Sequence, residues 1–136
     1  MRSKENNSIS SSTVEAEEQQ GEEQFRKMYL AAVEYGLLLL GKELGGVTLS
    51  YLREKYEISV DQIFNDPKLL CLALENMLGF SSITIEKRIL RYLYSQMGFA
   101  DSNMPKIIIR LNHPQDFVNA IGEVRRAFDD NRLPKS

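Results

Sequence analysis

The sequence predicts a mainly α-helical protein, a compact bundle of about five helices preceded by a polar N-terminal tail. Apolar residues recur at helical spacing in several segments, and residues typical of helix caps and stops separate these segments. The first 22 residues contain almost no apolar side chains. Only a short segment near residues 106–111 has the run of branched apolar residues that favours a β-strand.

The chain of 136 residues has the length of one domain with a tail. We predict a disordered acidic tail over residues 1–22 and a helical core domain over residues 23–99. A loop, the short strand and a C-terminal helix follow over residues 100–130 and pack on the core, and residues 131–136 are expected to fray. The tail is rich in Ser, Asn, Glu and Gln, and such a segment buries too little apolar surface to offset its ordering entropy.

The first helix of the core is predicted over residues 24–40, which are apolar over more than half of the helix circumference. Gly36 lies near the middle of this apolar arc. A glycine there lowers helix stability but lets another helix approach closely. After Gly45-Gly46, a shorter helix is predicted over residues 48–56.

The middle of the chain is divided by cap residues. Ser59 and Gln62 have the spacing of a capping box, which predicts a short helical turn. Asp66 and Pro67 provide an N-cap and a proline at the first helical position, and they predict a helix that ends at Gly79. Beyond residue 100, a loop and the short strand lead to a last helix predicted over residues 114–129.

The helix predicted over residues 83–97, with Ser82 as its cap, has an acidic residue in its apolar arc. This residue is Glu86, and an unpaired buried carboxylate is costly. We therefore expect a partner for it: a basic side chain of another helix, a tyrosine hydroxyl, or free N–H groups at a helix start. The structural interpretation of Glu86 is an internal brace, and the functional one is a ligand or partner contact in a groove.

The opposite face of the same helix is basic and carries Lys87, Arg88 and Arg91. Most such faces are only solvated, but this one could contact a phosphate backbone or an acidic protein. Of the net charge of −2, residues 1–24 contribute −4 and the rest of the chain +2. This distribution does not favour a non-specific nucleic-acid binder, which needs a concentrated basic face.

The residues that could support catalysis are few. His113, the single histidine, precedes Pro114 and suits a loop or cap, and Cys71, the single cysteine, suits a buried structural thiol. One cysteine and one histidine cannot build a zinc site with the usual four ligands, and no phosphate-binding or calcium-binding loop is found. We therefore predict no enzyme, no cofactor and no metal.

The sequence also predicts a cytoplasmic protein without a membrane anchor. No apolar run approaches the roughly 18 residues that span a bilayer, and the N-terminus lacks the apolar core of a signal peptide. A single cysteine fits a reducing compartment.

A series of motifs runs from Ala31 to Phe99, over about half of the chain. In order, they are Ala31-Ala32-Val33-Glu34-Tyr35-Gly36, Leu39-Leu40-Gly41-Lys42, Tyr51-Leu52-Arg53-Glu54-Lys55-Tyr56, Ile58-Ser59, Ile63, Asp66-Pro67, Ala73-Leu74, Leu78-Gly79-Phe80, Ile85-Glu86-Lys87-Arg88-Ile89-Leu90, Leu93-Tyr94 and Met97-Gly98. In these motifs the chain resembles the small helical output domains of archaeal signalling proteins, of the Nitrosopumilus output domain type. The resemblance implies a compact helical module, often attached to sensor or receiver domains, with no catalytic residues to transfer.

Together these observations predict a non-enzymatic regulatory or signalling-linked protein that acts through protein contacts. The partner is another protein or a second copy of this chain, joined through the first helix or across the strand at 106–111. One alternative is a DNA-binding transcriptional regulator, but its reading helix at 67–78 would carry only Lys68 as a basic residue. The other alternative is a ligand-binding sensor module.

Overall fold

The computed structural model describes residues 2–132, and it describes side chains for residues 15–59 and 61–131. The described residues form six α-helices with short connections. The helices are α1 (Arg2–Leu37), α2 (Lys42–Lys55), α3 (Val60–Asn65), α4 (Pro67–Leu78), α5 (Ser81–Gln96) and α6 (Pro114–Arg132), and 3-10 turns lie at Leu38–Leu40 and Asp101–Asn103. The predicted mainly α-helical fold class is confirmed for this part of the chain.

The second half of α1 is the central element of the bundle. It packs along α5 and also contacts α2, α3 and α6. Its apolar side chains are buried in the core, among them Phe25, Tyr29, Val33 and Leu37. A helix surrounded by others needs apolar residues on most of its circumference. Packing on four neighbouring helices therefore explains the wide apolar arc predicted for this segment.

Gly36 allows α1 and α5 to pack closely, as its position in the apolar arc predicted. A Cβ atom on this residue would lie 2.7 Å from Cγ1 of Ile89 and 3.2 Å from the carbonyl oxygen of Ile85. Both distances are shorter than ordinary van der Waals contact. The two helix backbones can therefore meet here only because residue 36 has no side chain.

The first half of α1 differs from the predicted tail. The helix begins at Arg2, whereas the composition predicts disorder over residues 1–22, and Met1 lies outside the described residues. The side chains of residues 15–20 are all exposed, so these residues extend the helix without packing on the bundle. Helix formation is cooperative. The packed second half of α1 therefore provides the nucleus from which the first half of the helix, called the arm below, continues.

The caps predicted in the middle of the chain are present. The Ser59 hydroxyl accepts a hydrogen bond from the backbone N–H of Gln62, and the Gln62 side chain accepts one from the backbone N–H of Ser59. The Asp66 carboxylate accepts a hydrogen bond of 3.1 Å from the backbone N–H of Leu69. Helix α4 begins at Pro67 and ends before Gly79, as predicted from these residues.

The second helix starts earlier than the predicted residue 48. It begins at Lys42 and contains both Gly45 and Gly46, which the sequence suggested as a break. A Cβ on Gly45 would lie 2.7 Å from the carbonyl oxygen of Leu37. The glycine therefore permits close packing of α2 against the end of α1, and this tertiary contact outweighs the low helix propensity of glycine.

The prediction that Ser82 caps the helix over residues 83–97 is wrong. Helix α5 begins at Ser81, so Ser82 lies inside its first turn rather than before it. The Ser82 hydroxyl donates a hydrogen bond of 2.7 Å to the carbonyl oxygen of Gly79. Ser82 thus ties the start of α5 to the end of α4, because the two helices are separated by only two residues.

The predicted strand over residues 106–111 is also wrong. Lys106 to Arg110 have irregular backbone, and no β-strand occurs between residues 2 and 132. A strand needs a partner for its backbone hydrogen bonds, and the described chain offers none. Instead, the side chain of Ile109 is buried in the core while that of Ile108 is exposed.

The C-terminal helix closes the bundle against α4, α5 and α1. It buries Phe117, Ile121 and Val124 in the core. Because α6 continues to Arg132, it extends beyond the predicted end at residue 129. Residues 133–136 of the expected frayed end lie outside the described residues.

No helix in residues 2–132 is long and apolar enough to cross a bilayer.

Candidate binding groove and buried carboxylate

A groove of about 290 Å³ lies between the end of α1, helix α5 and the loop that follows it. Residues of α5 make up much of its lining, together with Tyr35 near the end of α1 and Leu39 in the 3-10 turn that follows. The groove is lined by Tyr35, Leu39, Thr84, Arg88, Arg91, Tyr92, Ser95, Asp101 and Met104. These side chains combine two guanidinium groups, four hydroxyl groups and one carboxylate.

Arg88 is held in place by aromatic rings. Its guanidinium carbon lies 4.3 Å from the centroid of the Tyr35 ring, a distance at which the cation is attracted to the face of the ring. The Tyr35 ring in turn stacks on Tyr92, with 4.8 Å between centroids and 34° between ring planes. The guanidinium of Arg88 therefore lies on the Tyr35 ring at the edge of the groove.

The two arginines of the groove have no acidic partner among the side chains that the structure describes. Neither Arg88 nor Arg91 forms an ion pair with any described side chain. The Nε atom of Arg88 is buried and has no hydrogen-bond acceptor among the described residues. A buried donor without an acceptor costs free energy. An incoming anionic group that reaches this atom would remove that cost.

The spacing of residues on α5 places the polar side chains of the groove on one face. Thr84, Arg88, Arg91 and Ser95 recur at intervals of four, three and four residues, which brings them to the same side of a helix. This row was visible in the sequence. Asp101 and Met104 come from the following loop, whose position depends on tertiary packing.

The structure separates the three basic residues that the sequence grouped together. Arg88 and Arg91 line the groove, whereas Lys87 does not. Gly36 lies behind the groove, where it brings α1 close enough to α5 for Tyr35 to cover Arg88. Tyr35 and Tyr92 were not predicted to be site residues. The sequence feature that could have indicated Tyr35 is its position just before a glycine in the apolar arc of α1. The pairing of its ring with that of Tyr92 depends on the packing of α1 on α5.

Glu86 is fully buried, as its position in the apolar arc of α5 predicted. The expected partner is not found among the described residues, since neither carboxylate oxygen has a hydrogen bond. The pKa of Glu86 is raised to about 7, chiefly because burial disfavours the charged form; the nearby Cys71 thiol opposes this rise, and the charge of Glu75 adds to it.

The buried carboxylate belongs to a small polar cluster between α4 and α5. The Cys71 sulfur and one carboxylate oxygen each of Glu75 and Glu86 lie within 4.8 Å of one another. The Cys71 sulfur is 3.9 Å from Oε1 of Glu75, which also accepts a hydrogen bond from the backbone N–H of Asn112. Burial raises the pKa of the Cys71 thiol, so it is protonated at neutral pH.

His113 has the structural position that its place before a proline predicted. Its Nδ1 atom lies 3.0 Å from the carbonyl oxygen of Leu111, and its own carbonyl accepts a hydrogen bond from the backbone N–H of Asp116. The residue thus lies in the turn before α6.

Comparisons of the chain with protein-family models, with curated proteins and with solved structures found no match.

Proposed function

We propose that this protein is a non-enzymatic regulatory protein that binds an acidic segment of a partner protein in the groove between α1 and α5. The observation that supports this most directly is the pair of arginines in the groove, neither of which has an acidic partner among the described side chains. Guanidinium groups bind carboxylates in a planar, two-point geometry. A groove that already orients one such group is prepared for an acidic ligand.

The walls of the groove favour a peptide over a free ion. Tyr35 and Tyr92 present ring faces as well as hydroxyl groups, and Leu39 and Met104 add apolar surface. Aromatic residues and arginine are the residue types most enriched where proteins bind one another. A peptide segment could place an acidic side chain on Arg88 and Arg91 and an apolar side chain beside the tyrosines.

A nucleic-acid ligand is less well supported. Helix α4, which would have to be the reading helix, carries only Lys68 as a basic residue. A phosphate backbone would therefore find little attraction there. The sequence resemblance to signalling output domains also favours a regulatory role, since such modules are often attached to sensor or receiver domains.

The proposal is tested by selecting ligands from a displayed library of random peptides. We expect the selected sequences to be enriched in Asp and Glu beside an aromatic or aliphatic residue. Affinity is then measured by fluorescence anisotropy with the best labelled peptide. The variant Arg88→Gln,Arg91→Gln should weaken binding at least tenfold, because both charged contacts are lost.

The matched control is Arg53→Gln, which removes an exposed arginine from α2. It should leave the affinity unchanged. If the library yields no acidic preference, or if both variants bind as the unmodified protein does, the groove is not the binding site. A labelled DNA duplex that bound with strong salt dependence, and lost binding in the Arg88→Gln,Arg91→Gln variant, would instead support the DNA-binding alternative.

A further inference from the structure

The burial of Glu86 costs free energy that no residue of the groove compensates. Its side chain is fully buried in the core, and both carboxylate oxygens lack hydrogen-bond partners among the described residues. Transfer of an unpaired carboxylate from water into an apolar interior costs several kcal/mol. Natural cores usually pair such a group with a cation or with several hydrogen-bond donors.

We propose that Cys71, Glu75 and Glu86 together bind a divalent metal ion, of the chemical type of Zn²⁺, between α4 and α5. One thiolate and two carboxylates form a ligand set that zinc accepts. A hard cation such as Mg²⁺ or Ca²⁺ prefers oxygen ligands alone, so the sulfur of Cys71 selects against it. This site is separate from the groove and does not depend on the function proposed for it.

The positions of the three ligand atoms suit such an ion. They lie within 4.8 Å of one another, and the Cys71 sulfur is 3.9 Å from Oε1 of Glu75. Around a tetrahedral zinc ion, with Zn–S near 2.3 Å and Zn–O near 2.0 Å, neighbouring ligand atoms would be about 3.5 Å apart. Glu75 is only half-buried, so rotation of its side chain can supply the small closure that is needed.

The sequence spacing holds the ligands in place. Cys71 and Glu75 are four residues apart on α4, and they therefore share one face of that helix. Glu86 approaches from α5, which packs directly on α4. A metal ion at this point would join two helices through residues that are already fixed by the core, and the partly exposed Glu75 would provide the route from solvent.

A second buried group points to the same place. The hydroxyl of Tyr29 on α1 has no hydrogen-bond partner among the described residues, although the residue is fully buried. Desolvation by burial raises the pKa of this hydroxyl, and the charges of Cys71 and Glu86 add to the rise. The hydroxyl therefore stays protonated and is available as a hydrogen-bond donor to this polar region of the core.

Metal binding would also change the protonation of the cluster. The thiol of Cys71 is protonated in the metal-free protein, so the ion must displace that proton to form the metal–sulfur bond. The proton, together with any proton held by Glu86, passes to the solvent. The charge of the ion then offsets two of the three negative charges of the ligands, which lowers the cost of burying the Glu86 carboxylate.

The test uses Co²⁺ as a spectroscopic substitute for zinc in the full-length protein after treatment with a chelator. Because Cys71 is the single cysteine, a thiolate-to-cobalt charge-transfer band can arise from no other residue. We expect the band to saturate at one Co²⁺ per chain and to be displaced by Zn²⁺. Protons should be released on binding, and Zn²⁺ should raise the melting temperature.

Variants of the ligands distinguish this site from adventitious binding. Cys71→Ser should abolish the charge-transfer band, and Glu86→Gln and Glu75→Gln should each weaken Zn²⁺ binding at least tenfold. The control Glu34→Gln removes an exposed carboxylate from α1 and should have no effect. Glu75 is half-buried, so the Glu75→Gln variant remains informative if substitutions at the two buried positions fail to fold.

Two results would overturn the proposal. One is the absence of a charge-transfer band together with a melting temperature that Zn²⁺ does not change. In that case Glu86 is simply a protonated core residue, with a buried water as its partner. The other is Zn²⁺ binding that Glu75→Gln leaves as tight as in the unmodified protein, which would mean that the ion binds elsewhere.

Discussion

At the scale of single residues, Gly36 links the packing of the core to the shape of the groove. Because it has no side chain, the backbones of α1 and α5 approach closely, and this approach places Tyr35 over the guanidinium of Arg88. The residue thus affects both stability and binding. Its role in packing was evident from the sequence, whereas its role in forming the groove was not.

The substitution Gly36→Ala is expected to destabilise the protein by about 1–3 kcal/mol, because the added methyl group forces Ile89 and the backbone of Ile85 to shift. The measurement is the free energy of unfolding in urea. The displaced helix should also weaken peptide binding in the groove.

Gly122 supplies a matched control within another helix. It lies in α6, it is exposed, and a Cβ at this position meets no atom within 4 Å. Gly122→Ala should therefore stabilise the protein, by up to about 1 kcal/mol, through helix propensity alone. Equal effects of the two substitutions would contradict the close packing of α1 on α5.

At the scale of elements, Asp116 at the start of α6 binds the irregular segment that precedes this helix. Asp116 accepts hydrogen bonds of 2.9 and 3.0 Å from the Arg110 guanidinium and one of 3.1 Å from the backbone N–H of Arg110. These contacts replace the strand pairing that the sequence predicted for this region. The hydrogen bond with the Arg110 side chain, opposed by partial burial, lowers the pKa of Asp116.

A lowered carboxyl pKa makes this contribution to stability depend on pH. The native state binds the proton less readily than the unfolded state, so the stabilisation is complete above the ordinary carboxyl pKa of about 4 and is lost as the pH falls through the lowered value. Asp116→Asn should lower the melting temperature at neutral pH, and the difference from the unmodified protein should shrink in acid.

The control for this experiment is Asp130→Asn, which changes an exposed acidic residue near the end of α6. Its effect on the melting temperature should be small at every pH. A difference between Asp116→Asn and the unmodified protein that stays constant from neutral pH to pH 2.5 would show that the contact with Arg110 is not responsible.

The arm formed by the first half of α1 is the other element whose behaviour can be measured. The side chains of residues 15–20 are exposed, and the composition of residues 1–22 is typical of a disordered segment. We expect a chain that begins at Gln20 to have the same free energy of unfolding within about 0.5 kcal/mol. Backbone amides of residues 2–18 should exchange with solvent much faster than those of α5.

Protection of the arm amides comparable to that of α5 would contradict this expectation. It would mean that the arm is stabilised by contacts beyond those of the described chain, for example in an assembly. Comparing exchange at low and at high protein concentration would separate these cases, because protection that depends on an assembly increases with concentration.

At the scale of the whole molecule, two neighbouring apolar side chains remain exposed on one face of α2. Leu44 and Val47 are three residues apart on one face of α2 and are 53% and 61% exposed. The packed half of α1, by contrast, turns its apolar arc into the core. The predicted self-association stays a prediction, but the structure moves its best-supported site to α2.

The substitution Leu44→Lys,Val47→Lys should therefore reduce any self-association, because it places two charges on the exposed apolar face. Light scattering over a range of protein concentrations measures the effect. Leu72→Lys, at an exposed leucine on α4, is the control and should change nothing. If the unmodified protein is a monomer at high concentration, a homodimer is excluded and α2 has no role in self-association.

Much of the candidate site could be predicted from the sequence, and what could not has a common reason. Glu86 was identified because the period of 3.6 residues per helical turn places this charged residue within an apolar arc. Arg88 and Arg91 were identified because they share the opposite face of the same helix. Tyr35 and Glu75 were missed, since each gains its role from a residue on another helix. Local periodicity shows which face a residue occupies but not which element will cover that face.

The sequence by itself determined the helical class, the caps at Ser59 and Asp66, the stop at Gly79 and the burial of Glu86, because each depends on residues within one or two helical turns. Tertiary structure alone decided that α2 continues through Gly45, that residues 106–110 form no strand, and that an arginine groove and a thiol–carboxylate cluster lie on different sides of α5. Those outcomes depend on contacts between distant segments, where packing and the availability of hydrogen-bond partners outweigh local preference.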